Sequence, residues 1–251
     1  MAPELAVDTR AFPCAPPADL DDSRVIVEHD WRAFQAVDRM KNHWDRPGWS
    51  ERQQAYYWML TFADATALVR RTEHCQGALE HLSMDLVPAD GLHVTLLRIG
   101  ATEGVSDPQL EHLISLAEHL SVGEFRILAH PLAGSRGAVR FSLTPWRPLV
   151  GLHAALSALG AQAGVPGGKP TSTFRPHLGV AYNNAERPAA PVVDVVSQLR
   201  SLPPVALDVA SVDLVKLRRQ GRTYRWETIR TLPLRPKGLA SAAEGAAPGA
   251  Q

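Results

Sequence analysis

Two short apolar stretches, each entered by a histidine, constrain this chain more than any other feature. "GLHVTLLRIG" spans residues 91–100 and "FRPHLGVAYNN" spans residues 174–184. Side chains alternate faces along a strand. His93 and Thr95 therefore share one face, and Leu92, Val94 and Leu96 share the other. In the second stretch His177, Gly179 and Ala181 are expected on one face, with Leu178, Val180 and Tyr182 opposite. Both strands combine an apolar back with a histidine on the front, which predicts two comparable half-sites.

Two imidazoles facing one small volume suit acid–base chemistry. One accepts a proton from an attacking hydroxyl or water, and the other gives a proton to a leaving oxygen. Histidine does both near neutral pH because its unperturbed pKa is about 6.5. A hydroxyl two residues on, as at Thr95, sits beside the ring and can bond an anionic oxygen. A single His-x-Thr strand is as readily a half-buried histidine with one hydrogen bond; the pair carries the functional reading. No metal is required. His74 and His81 lie on one expected helix but lack a matching carboxylate cluster.

The rest of the chain predicts alternating strands and helices. "DWRAFQAVDRM" spaces Trp31, Phe34, Val37 and Met40 at helical intervals, with Asp30 as a plausible N-cap. "RPGW" at 46–49 reads as a turn, and the aromatic "AYYWMLTF" at 55–62 as a buried strand. Asp64 is a candidate cap for the helix carrying Leu68, Cys75, Leu79 and Leu82. Ser106-x-x-Gln109 reads as a capping box with Pro108 in the first turn. "EFRILAHPLAG" and "GAVRFSLTP" read as paired strands, followed by a helix from about Pro148 to Ala163. The strand–helix–strand–helix order before residue 122 is loosely echoed after it, so two similar α+β lobes are expected.

Composition bounds the partners. The 251 residues are 45% hydrophobic and 21% charged, with 26 basic and 26 acidic side chains. A chain that coats long nucleic acid is usually strongly basic, so any nucleic-acid contact here is expected to be local. The only cysteines are Cys14 and Cys75, which disfavours a disulfide framework and fits a reducing cytoplasm. No apolar run reaches a membrane span of roughly 18 residues. Residues 1–24 read as a disordered leader, 25–234 as one bilobal domain and 235–251 as a small-residue tail, also disordered.

With these residues in view, "LHVTL" and "PHLGVAY" resemble the two signature strands of the 2H phosphoesterases, more narrowly the bacterial 2′-5′ RNA ligase-like proteins. The resemblance covers roughly residues 50–232 and includes the aromatic first strand and "FRPH" ahead of the second motif. It implies an α+β fold of two pseudo-symmetric lobes of antiparallel sheet, with flanking helices, around a central cleft. It implies metal-free, cofactor-free hydrolysis of 2′,3′-cyclic phosphates or related phosphodiesters, or reversible 2′-5′ ligation. The partner would be an RNA 3′ end or a small cyclic nucleotide, and a monomer is expected. His93 and His177 would be the acid–base pair, and Thr95 a phosphate anchor.

Gly179 stands where the second motif's threonine or serine belongs. A hydrogen bond to a charged group contributes about 1.5–3 kcal/mol. Its loss therefore weakens phosphate stabilisation roughly 10- to 150-fold. The glycine predicts an attenuated or reshaped site; a catalytically weakened binding module is the rival reading.

Further residues read two ways. Tyr57, on the aromatic strand, would stack a base as family members do from this strand, or pack in the core. Arg140 breaks an apolar strand and reads as a phosphate ligand or an edge-strand charge. Arg175 reads as an anion ligand or a loop anchor. Asn183 reads as a ribose contact or a strand cap. The basic run "KLRRQGRTYRWETIR" would guide an RNA end, or form a solvated hairpin whose charges discourage edge pairing.

Overall fold

The computed structural model describes residues 3–45, 50 and 53–236. In chain order the elements are α1 (Ser23–Gln35), β1 (Arg39–Met40), β2 (Gln54–Thr61), α2 (Thr66–Leu79), β3 (Asp85–Leu86), β4 (His93–Ala101), α3 (Asp107–Ala117), β5 (Phe125–Ser135) and β6 (Ala138–Thr144). They continue with α4 (Arg147–Gln162), β7 (Leu178–Tyr182), β8 (Arg187–Pro188), α5 (Ala190–Leu199), β9 (Val205–Val209), β10 (Ser211–Gln220) and β11 (Thr223–Pro233). The expected turn at 46–49 lies outside the described residues, as does the expected tail beyond residue 236.

Two antiparallel sheets form the body, as the α+β expectation requires. One has the strand order β11-β10-β2-β4 and the other β3-β7-β6-β5-β9; β1 and β8 make a small ribbon. The sheets are not two consecutive halves of the chain. The C-terminal hairpin β10–β11 returns to lie beside β2. Helix α4 packs on β4, whereas the earlier α2 packs on β7 and β9. Each sheet thus draws on both ends of the sequence, and a cut near residue 122 would leave both apolar faces uncovered.

Local sequence explains most element ends. Ser106 and Gln109 form the capping box that opens α3. The first helix begins earlier than the spacing of its apolar stripe predicts. Asp22 is its N-cap and accepts the amides of Arg24 and Val25. Asp30 is therefore mid-helix, only 1% exposed, and 3.9 Å from the Arg140 guanidinium. Helix α2 opens at Thr66 without a side-chain cap, so Asp64 does not serve as one. Gly134 lets α1 lie close on β5, because a Cβ there would collide with the Phe34 ring.

The leader is docked rather than disordered over residues 3–22. Arg175 explains this. Its Nε donates to the Pro13 carbonyl (3.0 Å), Nη1 to Ser172 and Phe174 (3.3 and 3.0 Å), and Nη2 to Ala6 and Cys14 (2.6 and 3.0 Å). A guanidinium has five N–H donors, and all five are spent on main-chain carbonyls. Three of these belong to the leader, so a residue two positions before His177 fastens the N-terminal segment to the second histidine strand.

Candidate active site

Strand β4 runs along the edge of the four-stranded sheet, and β7 lies next to the short edge strand β3. Cα atoms of β4 and β7 approach within 8 Å. Gln76, from α2, clasps the region by donating to the carbonyls of Val87 and Val180, at 2.7 and 3.0 Å. The Val87 amide also bonds the Val180 carbonyl at 3.0 Å. The segment leading into His93 is thereby tied to the second histidine strand.

The first motif lies as alternation predicts. Leu92, Val94 and Leu96 are buried, while His93 and Thr95 are half-buried on the other face. His93 pairs across to Thr61 and Thr95 to Met59, and the bulges between β2 and β4 fall beyond the motif. Tyr57 lies on the same face of β2 as Met59, against a small apolar cluster with Val215, Leu217, Tyr224 and Trp226.

Both histidines are held in the same way. His93 Nδ1 lies 2.7 Å from the Gly91 carbonyl, and His177 Nδ1 lies 2.9 Å from the Arg175 carbonyl. A carbonyl only accepts, so each Nδ1 carries the hydrogen. In the neutral ring the lone pair then resides on Nε2. Each imidazole is fixed by the main chain two residues upstream, which fixes the nitrogen through which it exchanges protons. Burial lowers the His93 pKa below its ordinary value, and the bond to Gly91 opposes this in part. His177 is exposed.

The second motif departs from strict alternation. Val139 pairs with Ala181 and Arg140 with Gly179, leaving Val180 as an extra residue in β7. Such a bulge shifts the phase of the strand. Ala181 is consequently fully buried rather than facing the site with His177. Tyr182 comes round to the Gly179 side, with its hydroxyl 3.5 Å from the position a Cβ would take at Gly179. The tyrosine expected on the opposite face thus stands over the glycine.

Tyr182 belongs to an aromatic group that alternation does not reveal. Its ring stacks on His43 at a centroid distance of 4.1 Å and meets Trp44 and Tyr224 edge-on at 5.2 and 5.6 Å. His43 Nε2 lies 2.9 Å from the Tyr224 hydroxyl. Trp226 meets the His93 ring edge-on at 5.3 Å. A small cavity is lined by Gly91 and His93 from one lobe, Tyr182 from the other, and Thr223 and Tyr224 from the hairpin. Tyr224 and Trp226 share a face of β11, and their two-residue spacing in "TYRW" is the one sequence signal that points to them.

Three expected ligands are committed elsewhere. Arg140 is 3% exposed; it donates to the Phe12 carbonyl at 3.3 Å and sits over that ring at 5.4 Å. Burial beside Asp30 and the leader removes it from any phosphate. Arg175 has spent its donors on carbonyls, as described above. Asn183 is fully buried; its amide donates to the carbonyls of Lys41 and Ala185, which makes it a strand-end cap. The basic hairpin is largely neutralised by ion pairs. Lys216 meets Glu227 at 2.8 Å, Arg225 meets Asp90 at 2.6 Å and Arg230 meets Glu118 at 2.8 Å.

A cavity of about 1070 Å³ lies between the leader and α1 and touches neither histidine strand. No helix among the described residues is long and apolar enough to cross a membrane.

Comparison with known proteins agrees with this fold. Apo E. coli LigT matches with a TM-score of 0.55 at 20% identity, over 74% of this chain and 99% of that chain. A crystal structure of a phosphoesterase matches with a TM-score of 0.56 at 19% identity, over 73% and 99%. A Thermus thermophilus protein, TT0787, matches with a TM-score of 0.52 at 20% identity, over 74% and 99%. At these identities the likeness is one of fold. No curated protein matches. The family model for the 2′-5′ RNA ligase superfamily matches residues 65–221. That span is well over half of the chain and includes both histidine strands, so the chain belongs to the 2′-5′ RNA ligase superfamily.

Proposed function

We propose that this protein is a metal-independent phosphodiesterase that opens a 2′,3′-cyclic phosphate on an RNA 3′ end or a small nucleotide. The observation that carries the proposal is the matched fixing of His93 and His177, each through Nδ1 to a carbonyl two residues upstream. Such fixing directs Nε2 of each ring to proton transfer. Membership of the superfamily supports the reaction class. E. coli LigT, a structural neighbour, has been crystallised with 3′-AMP, with ATP and with phosphate, which supports a nucleotide as ligand.

The lowered pKa of His93 suits it to enter the reaction neutral. Its Nε2 takes a proton from water as the water oxygen bonds to phosphorus. The bond from phosphorus to the ribose 3′-oxygen breaks, and protonated His177 delivers its Nε2 proton to that oxygen. The product is a 2′-phosphate with a free 3′-hydroxyl, and the two histidines have exchanged protonation states. The Thr95 hydroxyl bonds a non-bridging phosphate oxygen. Tyr57 and Trp226 offer ring faces or edges to the base, a contact worth about 1–3 kcal/mol. With an RNA 5′-hydroxyl in place of water, the same steps in the same direction make a 2′-5′ linkage.

The test is an oligoribonucleotide ending in 2′,3′-cyclic phosphate, incubated with the protein in EDTA from pH 5 to 8. The expected product ends exclusively in a 2′-phosphate. Absence of turnover across this range, on the oligonucleotide and on 2′,3′-cyclic AMP, contradicts the proposal and leaves a nucleotide-binding module.

A further inference from the structure

We infer that the Tyr182 hydroxyl takes the place of the hydroxyl missing from the second histidine motif and bonds the substrate phosphate opposite Thr95. The inference rests on the phosphodiesterase reading, but it concerns a residue that the motif itself does not contain.

The geometry is specific. A serine or threonine at position 179 would carry its oxygen one bond beyond Cβ. The Tyr182 hydroxyl lies 3.5 Å from that Cβ position, with ring carbons Cε1 and Cζ at 3.6 and 3.7 Å. Motif hydroxyl and tyrosine hydroxyl therefore compete for one small region, and glycine is the residue that leaves it to the tyrosine. The bulge at Val180 brings Tyr182 to this side of β7. Neither feature has this consequence alone. Without the bulge the tyrosine faces the core, and with a serine or threonine at 179 its hydroxyl would share the region with a second one.

The hydroxyl is also well placed and well held. Tyr182 and His93 line the same small cavity, which lies between the second lobe and the first histidine. Tyr182 is 9% exposed, and its ring stacks on His43 and meets Trp44 and Tyr224 edge-on. A tyrosine has few rotatable bonds to freeze, and packing on three sides fixes those it has. The hydroxyl donates to an anionic oxygen as a threonine would, from a longer and stiffer arm.

The experiment compares wild type with Tyr182→Phe, Gly179→Ser and the double variant. It reads turnover of 2′,3′-cyclic AMP and binding of 2′-AMP by calorimetry. Loss of one hydrogen bond to a charged group is expected to lower kcat/KM of Tyr182→Phe roughly 10- to 150-fold, with an unchanged melting midpoint. Gly179→Ser alone is expected to give no gain, since the tyrosine already fills the region. In the double variant the serine regains that space, and most of the lost activity is expected to return.

Unaltered turnover and unaltered 2′-AMP affinity in Tyr182→Phe would overturn the inference while leaving the phosphodiesterase reading intact. An inactive wild type whose 2′-AMP binding still weakens in Tyr182→Phe supports the hydroxyl as a phosphate ligand and removes the hydrolase reading alone. A wild type that neither turns over cyclic AMP nor binds 2′-AMP overturns both.

Discussion

The Tyr182 hydroxyl stands 3.5 Å from the point where a side chain at Gly179 would begin. The glycine in the second motif is thus not an empty place in the site. It lies under a tyrosine whose ring stacks on His43 and which lines the same small cavity as His93. This relationship changes what the departure from the two-hydroxyl pattern implies for the chemistry.

The pH dependence of the reaction follows from His93. Burial holds its pKa below the ordinary value. A lowered pKa keeps the neutral base form present as the pH falls. The acidic limb of the kcat/KM profile is therefore expected below 6.5, the ordinary histidine value. The profile on 2′,3′-cyclic AMP, paired with an NMR titration of the His93 ring, checks this. A His93 that titrates above 6.5 contradicts it.

Stability should also depend on pH, mainly through a histidine outside the cleft. His153 is 2% exposed, lies 2.9 Å from the Thr171 hydroxyl and packs against Phe174; burial pushes its pKa down to about 4. Between 6.5 and about 4 the unfolded chain binds the proton that the folded chain refuses. The contribution is fully present above about 6.5 and is lost as pH falls towards 4, amounting to about 3 kcal/mol. His93 and His130, also lowered by burial, act in the same direction. Urea melts at pH 7, 5.5 and 4.5 are expected to show falling stability, with a shallower fall in His153→Gln. An equal fall in both proteins contradicts the assignment to His153.

Arg175 is expected to act as a structural staple rather than a phosphate ligand. Arg175→Met removes the donors to five carbonyls, three of them in the leader. An unsatisfied buried polar group costs about 1–3 kcal/mol, so a loss of more than about 2 kcal/mol is expected. Amide exchange of the leader over residues 6–14 should accelerate along with it. Unchanged exchange there contradicts the staple.

Much of this was accessible to the period-two pattern. The apolar backs of both histidine strands, the faces of His93, Thr95 and His177, and the capping box at Ser106 are local features. Each is set by residues within a few positions. Tyr182 is not local in that sense. One extra residue in β7 inverts the phase, and no turn residue or proline announces it. Arg140 and Arg175 read as anion ligands because each is a charge in an apolar setting. What satisfies them is a leader more than 120 residues away, whose composition resembles a disordered segment. Of the two readings of Asn183 the strand cap is the one seen, and its partner carbonyl at Lys41 comes from a distant loop that local sequence does not reveal.

The most direct test of the central claim compares His93→Ala, His177→Ala and the double variant on 2′,3′-cyclic AMP. Loss of a general acid or base costs roughly 10²–10⁴-fold. If the two rings act as one acid–base pair, each single variant falls by this amount, and the double variant falls little further than the worse single one. The acidic limb of the pH profile should disappear with His93. Wild-type turnover in either single variant would contradict the account.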